Sequence, residues 1–264
     1  MTYSHASFNL IINNIICLSV RNIKYLILLN SLLFVLFNAN SQVQKGLDID
    51  GSINSELGRS ISMPDQNTIA VGAPEYFDPF GIFGKVQIFE WNGSSWQQKG
   101  SDLIGENDGD KFGWSISMPD ANTVAVGAPY NDGNGSNSGH VRVFGWNGSN
   151  WVQKGLDIDG ELNEDQSGWQ VSMPDANTVA ITATYNDGSI AFSNSGQIRV
   201  FEWDGSSWIQ KGIDIDGEAT GDFFGWSLTM PNSNIVAAGS ITNSGNGSTA
   251  GHARIYEWNG SAWV

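Results

Sequence analysis

Apolar and polar positions along most of this chain follow the pattern of short β-strands. In one stretch, Trp114 to Met118 alternates over a few residues, and Thr123 to Ala128 is a nearly continuous run of small and β-branched residues. The second pattern is typical of a strand that is buried on both faces. Val141 to Trp146 and Trp151 to Lys154 predict two more strands, joined through Asn147-Gly148, a strong signal for a type I′ hairpin turn.

The segments between these runs have the composition of turns and surface loops. Pro119-Asp120-Ala121-Asn122 is predicted to end the first strand, because proline followed by Asp and Asn is turn chemistry. After Pro129 the chain is rich in Gly, Asn and Ser, which predicts an exposed loop. No window has the apolar period of an α-helix. The sequence therefore predicts an all-β protein.

The four-strand pattern recurs at a nearly constant interval. Gly58, Gly113, Gly168 and Gly225 are equivalent positions, separated by 55, 55 and 57 residues. A fixed period of this length, with four antiparallel strands in each period, is typical of β-propeller blades. We predict four blades of about 55 residues, either closed as a four-bladed ring or forming part of a larger, seven-bladed propeller. Their approximate limits are residues 42–96, 97–151, 152–208 and 209–264.

All eleven tryptophans occupy one of three positions in the repeat. Aromatic rings that recur in register are expected to fill the space between neighbouring blades. A row of exposed rings that stack on sugars is the functional alternative. The three sets are Trp91, Trp146, Trp203 and Trp258; Trp96, Trp151, Trp208 and Trp263; and Trp114, Trp169 and Trp226.

The first 41 residues differ in kind from the remainder. They contain no acidic residue; Arg21 and Lys24 precede an apolar run from Tyr25 to Phe37, and Ala39 and Ser41 suit a cleavage site. This order predicts a secretory signal peptide over residues 1–41, with a retained anchor as the alternative. The protein is therefore predicted to be secreted or displayed at the cell surface, with no membrane contact beyond this leader.

Charge and cysteine content narrow the classes of partner. The single cysteine, Cys17, lies in the leader, so no disulfide is expected in residues 42–264. The net charge of −15 becomes −17 without Arg21 and Lys24. So acidic a protein is expected to repel nucleic acid and anionic lipid, because it offers few cations to phosphate groups.

The repeat resembles the FG-GAP repeat, which forms the propeller of integrin α-chains and occurs in bacterial extracellular proteins. The resemblance is carried by Phe112-Gly113 with Ser115 and by Val126-Gly127-Ala128-Pro129, and by the copies Phe224-Gly225 and Val71-Gly72-Ala73-Pro74. It implies a propeller, usually of seven blades, and an adhesion-type role. Integrin-type repeats carry an acidic calcium loop between the two motifs; here that interval holds only Asp120. The third and fourth units lack the GAP tripeptide, and are expected to keep the strand.

Acidic residues do recur in the connections between blades, where alternating carboxylates could hold Ca²⁺. Turn formation and solvation of the loops explain the same residues without a metal. The candidate calcium ligands are Asp157, Asp159, Glu161 and Asp165 in one connection and Asp214, Asp216, Glu218 and Asp222 in the next.

No constellation for catalysis is visible. His140 and His252 occupy equivalent positions, but Lys85 and Gln197 stand there in the other units, which argues against a general base. We therefore predict a binding or structural module without catalysis or cofactor, whose partner is an extracellular protein or glycan. A glycan-binding lectin and a polysaccharide-active enzyme that uses loop carboxylates are the alternatives.

Overall fold

The computed structural model describes residues 43–188 and 193–264. The chain divides into two units, Met1–Lys45 and Gly46–Val264, and the sheets below belong to the second. The predicted leader lies outside the described residues. Within the described ranges, no helix has the length and apolar character needed to cross a membrane.

The secondary structure of the described residues consists of strands. The first sheet region contains β1 (Ser60–Asp65), β2 (Thr68–Ala73), β3 (Phe77–Asp78), β4 (Gly81–Ile82), β5 (Lys85–Trp91), β6 (Trp96–Gln98) and β7 (Leu103–Ile104). The second contains β8 (Ser115–Asp120), β9 (Thr123–Ala128), β10 (His140–Trp146), β11 (Trp151–Gln153) and β12 (Ile158–Asp159). The third contains β13 (Ser167–Asp175), β14 (Thr178–Ala183), β15 (Gln197–Trp203), β16 (Trp208–Gln210) and β17 (Ile215–Asp216). The fourth contains β18 (Ser227–Asn232), β19 (Ile235–Ser240) and β20 (His252–Glu257).

Three of the sheets share one topology, which is that of the predicted blade. Their four main strands follow one another as antiparallel neighbours, in the orders β1-β2-β5-β6, β8-β9-β10-β11 and β13-β14-β15-β16. The fourth sheet pairs β18, β19 and β20 in the same way. A short strand that the sequence pattern did not predict, β7, β12 or β17, joins the third strand of each complete sheet. The all-β fold with repeated four-stranded sheets is thus confirmed.

The prediction that Pro119 ends the first strand of the unit is wrong. Strand β8 continues to Asp120, and the pairing of β8 with β9 shifts register between Ser117 and Asp120. Proline is tolerated there because β8 lies at the edge of its sheet and the irregular pairing needs no N–H at that position. The turn follows at Ala121-Asn122, where Asp120 accepts a hydrogen bond of 2.7 Å from the Asn122 N–H.

Neighbouring sheets approach each other closely where the two recurring motif glycines meet. A Cβ on Gly127 would lie 2.2 Å from the Gly168 carbonyl oxygen, and Ser115 donates a 2.8 Å hydrogen bond to the same oxygen. Gly168 itself has a φ of +92°, which disfavours residues with a side chain. Gly72 and Gly113 repeat this contact one unit earlier. The motif glycines therefore allow one blade to pack on the next.

The two units that lack the GAP tripeptide keep the strand, as predicted. In the third unit, Thr182 replaces the close-packed glycine, and its hydroxyl accepts a 3.0 Å hydrogen bond from the Gln170 N–H. Strand β14 is buried along its whole length, and β19 occupies the same place in the fourth sheet.

Two of the three tryptophan sets connect the hairpin of one sheet to the chain that follows the preceding sheet. The indole N–H of Trp151 donates a 2.8 Å hydrogen bond to the Lys99 carbonyl, and the Lys99 ammonium donates to the carbonyl of Ala121 at 2.7 Å. Lys99 also lies 5.3 Å from the ring centre of Trp146. Trp208 with Lys154 and Trp263 with Lys211 repeat the arrangement. These rings pack between units, as expected from their periodicity.

The first and last sheets differ from the two between them in burial. Strands β9 and β14 are buried at every position, whereas β1 and β20 alternate between half-buried and exposed residues. Ile61 is 63% exposed and Ile255 is 72% exposed. Each end sheet therefore presents an apolar face to solvent, and the number of blades in a complete ring stays a prediction.

Candidate functional site on the loop face

The variable loops and the acidic connections leave the sheets at the same end. His140, the first residue of β10, pairs with Ala128 at the end of β9 and with Asp159 in β12. The loop that precedes His140 and the connection that follows Asp159 are therefore neighbours. We call this end the loop face; it comprises the loops 75–84, 130–139, 185–188 with 193–196, and 241–251, and the connections 105–112, 160–166 and 217–223.

In each of the three connections, one buried aspartate is hydrogen-bonded to the loop of the following sheet. Asp165 is 3% exposed and accepts hydrogen bonds from the Leu162 N–H at 2.9 Å and from the Asn186 side-chain amide at 3.0 Å. Asp110 and Asp222 accept the corresponding bonds from Asn131 and Asn243. Asp165 and Asp222, two of the candidate calcium ligands, therefore have structural partners in this fold.

The other candidate calcium ligands are distributed along the connections. Asp157 accepts a 2.6 Å hydrogen bond from the Gln153 amide, and Asp214 accepts the equivalent bond from Gln210 at 2.7 Å. Asp159 and Asp216 are exposed residues of the short strands β12 and β17. Glu161 lies 3.7 Å from the Arg199 guanidinium, and Glu218 pairs with Arg254.

One group of possible metal ligands converges among the described residues. Glu106, His140 and Asp157 each offer a ligand atom, and these atoms all lie within 4.8 Å of one another. Of the candidate calcium ligands, this group contains Asp157 alone. Calcium binding by the two sets of four carboxylates stays a prediction.

The pKa values on this face reflect burial. Burial raises the pKa of Asp110 and Asp165 above the usual value, against the opposing effect of hydrogen bonds. Partial loss of solvation also raises the pKa of the more exposed Asp159 and Asp216, and the neighbouring Asp157 and Asp214 act in the same direction. Burial also lowers the pKa of His140 to about 4, and the nearby Arg142 acts in the same direction. His140 is therefore a neutral imidazole at physiological pH.

The third tryptophan set forms a continuous row of aromatic rings at the loop-face end of the first strand of each sheet. Ring centres of Trp114 and Trp169 are 5.0 Å apart, and those of Trp169 and Trp226 are 5.2 Å apart. The Arg59 guanidinium lies 4.0 Å from the ring centre of Trp114. Three further rings contact this row edge to face: Tyr130, Tyr185 and Phe223. All of these rings except Trp169 are partly exposed.

Sequence reasoning identified the loops and the periodic tryptophans but not these two groupings. Glu106 lies in a connection, His140 begins β10 and Asp157 lies between β11 and β12, so the meeting of their ligand atoms depends on how the strands pair. A signal was present, since histidine replaces Lys85 or Gln197 at one repeat position while acidic residues recur beside it.

Comparison with known proteins identifies the repeat. Residues 105–144 match the family model described as FG-GAP repeat. Among solved structures, the beta-propeller domain of the Trilobed protease from Pyrococcus furiosus is similar, with 12% identity and a TM-score of 0.43. That similarity covers 79% of this chain and 56% of the other, so the chain spans just over half the length of that structure. No curated protein matches. The predicted resemblance to the FG-GAP repeat is confirmed.

Proposed function

We propose that this chain, one of whose units matches the FG-GAP repeat, acts as a secreted or cell-surface β-propeller module that binds an extracellular ligand and performs no catalysis of its own. The observation that supports the proposal is the position of the variable loops. In the described parts of the chain, each loop follows the second strand of its sheet, and the loops differ from one another more than the six-residue strands that precede them. Binding residues are commonly carried on loops that a rigid scaffold positions.

The chemistry of the loop face favours a protein or glycan partner. Acidic side chains outnumber basic ones in its connections, and Arg142, which reaches this face from β10, is engaged with Glu106 at 3.3 Å. Such a surface attracts basic or neutral polar partners and repels phosphate-rich ones. We expect an adhesion-type interaction with an extracellular protein.

A glycan is the second candidate ligand, and the aromatic row supports it. Trp114, Tyr130 and Trp226 expose part of their rings next to the loops, and aromatic faces provide apolar contact for the C–H faces of sugars. The other two tryptophan sets, those of Trp146 and Trp151, are called the outer sets here. Their rings have structural partners in the hairpins, and they form no comparable row among the described residues.

One array experiment tests both candidates. The labelled full chain is applied to immobilised extracellular proteins and glycans, beside two matched variants that each add two positive charges. Asn163→Lys with Thr220→Lys changes exposed positions of the loop face, and Asn150→Lys with Ser206→Lys changes exposed hairpin positions at the other end. We expect the first pair to weaken binding at least tenfold and the second to leave it within twofold.

The outcome separates the ligand classes. For a glycan ligand, Trp114→Ala abolishes binding while Trp146→Ala, in an outer set, retains it; for a protein ligand, only the charge pair on the loop face matters. Equal losses from both charge pairs, or binding to no array component, would contradict the proposal.

A further inference from the structure

We propose that Glu106, His140 and Asp157 form a site for one divalent transition-metal ion of the zinc class, at the second sheet. The three residues come from different segments: the connection before the sheet, the first position of β10, and the segment between β11 and β12. Their ligand atoms lie within 4.8 Å of one another, and His140 Nδ1 is 3.6 Å from Asp157 Oδ2. Two carboxylates and one imidazole are ligands that zinc accepts.

The state of His140 is the independent sign of a ligand. Its side chain is 1% exposed, and its buried Nε2 has no hydrogen-bond partner in the described part of the chain. Its contact with Asp157 is longer than a hydrogen bond. Buried imidazole nitrogens normally have a partner, yet Nδ1, the nitrogen that faces Asp157, also makes no hydrogen bond in the described part of the chain. An ion bound to Nδ1 would give this nitrogen a partner and would leave the surroundings of Nε2 unchanged.

The distances require little rearrangement. In a tetrahedral zinc site with bonds of about 2.0 Å, neighbouring ligand atoms are about 3.3 Å apart. The observed 3.6 Å between His140 and Asp157 is close to this value. The Glu106 side chain is half-exposed and lies in a loop connection, and it would have to loosen its 3.3 Å contact with Arg142 to approach the ion. Water would fill the remaining position, as in other sites with three protein ligands.

The equivalent positions in the neighbouring sheets show why those sheets lack such a site. In the first sheet, Lys85 stands at the position of His140, and its ammonium lies 3.0 Å from Asp102, the counterpart of Asp157. In the third sheet, Gln197 stands there and donates a 3.1 Å hydrogen bond to Glu161, the counterpart of Glu106. Each of those side chains contacts a carboxylate directly, whereas His140 Nδ1 stays 3.6 Å from Asp157 Oδ2 and leaves room for a cation.

Arg142 limits the affinity. Its guanidinium lies 3.3 Å from Glu106 and donates a 2.7 Å hydrogen bond to the Ile104 carbonyl. A fixed positive charge beside the site repels the ion, so we expect binding in the micromolar range. Gln87 occupies the position of Arg142 in the first sheet. Arg142→Gln is therefore expected to tighten metal binding severalfold.

The test is zinc titration of the full, untagged chain by calorimetry, with metal content measured after dialysis. We expect one zinc ion per wild-type chain, a loss of more than tenfold in affinity for His140→Gln, and unchanged binding for His252→Gln. Gln197→His should create a second site, because Glu161 and Asp214 already occupy the matching positions. A stoichiometry of two would strongly support the site.

The repeat itself provides the control for correct folding of the variant. Glutamine is the natural residue at this position in the third sheet, so His140→Gln is expected to fold, and circular dichroism checks this. Zinc at a hundredfold excess over Kd should raise the wild-type Tm by about 5 °C and leave that of folded His140→Gln unchanged. No bound zinc at 100-fold molar excess, or equal binding by wild type and His140→Gln, would overturn the proposal.

Discussion

Individual residues of the loop face have structural roles in addition to any role in ligand binding. Asp165 shows this, since its Oδ2 accepts both the Leu162 N–H and the amide of Asn186, which is itself 3% exposed. Asp110 and Asp222 recur at the same repeat position and accept equivalent bonds. A carboxylate that recurs in this way is explained by its structural hydrogen bonds before a ligand is invoked.

Asp165→Ala should lower the free energy of unfolding by about 2 kcal/mol, because it leaves the buried Asn186 amide and the Leu162 N–H without an acceptor. Asp165→Asn should cost much less, because one amide oxygen can accept both bonds. Urea unfolding of the two variants at neutral pH measures the difference. Equal losses for alanine and asparagine would show that the hydrogen bonds are unimportant.

The pH dependence of the same pair follows from burial, which raises the pKa of Asp165 in the folded protein above its unfolded value near 3.8. Between these two values the folded state binds the proton more strongly, so wild-type stability falls as the pH rises through the folded pKa. Asp165→Asn lacks this loss. Its stability relative to wild type should therefore increase as pH rises above about 4 and level off above the folded pKa. Urea unfolding across this range provides the measurement, and a gap that narrows with rising pH would contradict the assignment.

At the scale of elements, hairpins are fastened to their neighbours through tryptophan and lysine. Each of these hydrogen bonds joins an indole N–H of one sheet to the backbone carbonyl of a lysine that follows the preceding sheet, as with Trp208 and Lys154. The lysine in turn reaches the turn of the next sheet, where Lys154 donates to the Ala176 carbonyl at 2.7 Å. The blade is therefore stabilised by its neighbours as well as by its own strands.

Trp208→Phe should reduce the free energy of unfolding by about 1–2 kcal/mol, since the Lys154 carbonyl loses its indole donor while most of the ring contact stays. Trp203→Phe is the matched control. Its ring lies 5.1 Å from the Lys154 ammonium, and this contact remains possible with phenylalanine. Thermal or urea unfolding compares the two, and an equal loss for both would contradict a specific role for the indole N–H.

The whole molecule differs at its two end sheets from a propeller interior. The apolar residues Ile61 and Met63 on β1, and Ile255 on β20, are at least half exposed, with 63%, 50% and 72% of their surfaces accessible. Their counterparts in the central sheets pack against a neighbouring sheet. Exposed apolar strands of this kind promote association.

The full chain should therefore associate as its concentration increases, and Ile61→Lys combined with Ile255→Lys should weaken that association at least tenfold. Sedimentation velocity between 1 and 100 µM, with concentrations chosen for the experiment, gives the readout. A wild-type chain that stays monomeric throughout would show that these faces are not adhesive.

Much of this architecture follows from local patterns in the sequence. The strand lengths, the hairpins at Asn-Gly and the repeat at Gly58, Gly113, Gly168 and Gly225 depend on the side-chain alternation and turn chemistry of consecutive residues. Because four copies repeat the same pattern, an error in one unit is corrected by the others. The mistaken strand end at Pro119 recurred in every unit, and repetition could not correct it.

Only the tertiary structure determined which distant residues meet. It placed Glu106, His140 and Asp157 around one point, gave Asp165 a structural partner, and aligned Trp114 with Trp169 and Trp226. These contacts join residues that are distant in sequence, and their distances depend on how strands pair and on how closely neighbouring sheets pack, for example where Gly127 meets the Gly168 carbonyl. Periodicity specifies which residues are equivalent. The packing of sheets decides whether equivalent residues form a turn, a hydrogen-bonded contact between sheets or a binding site.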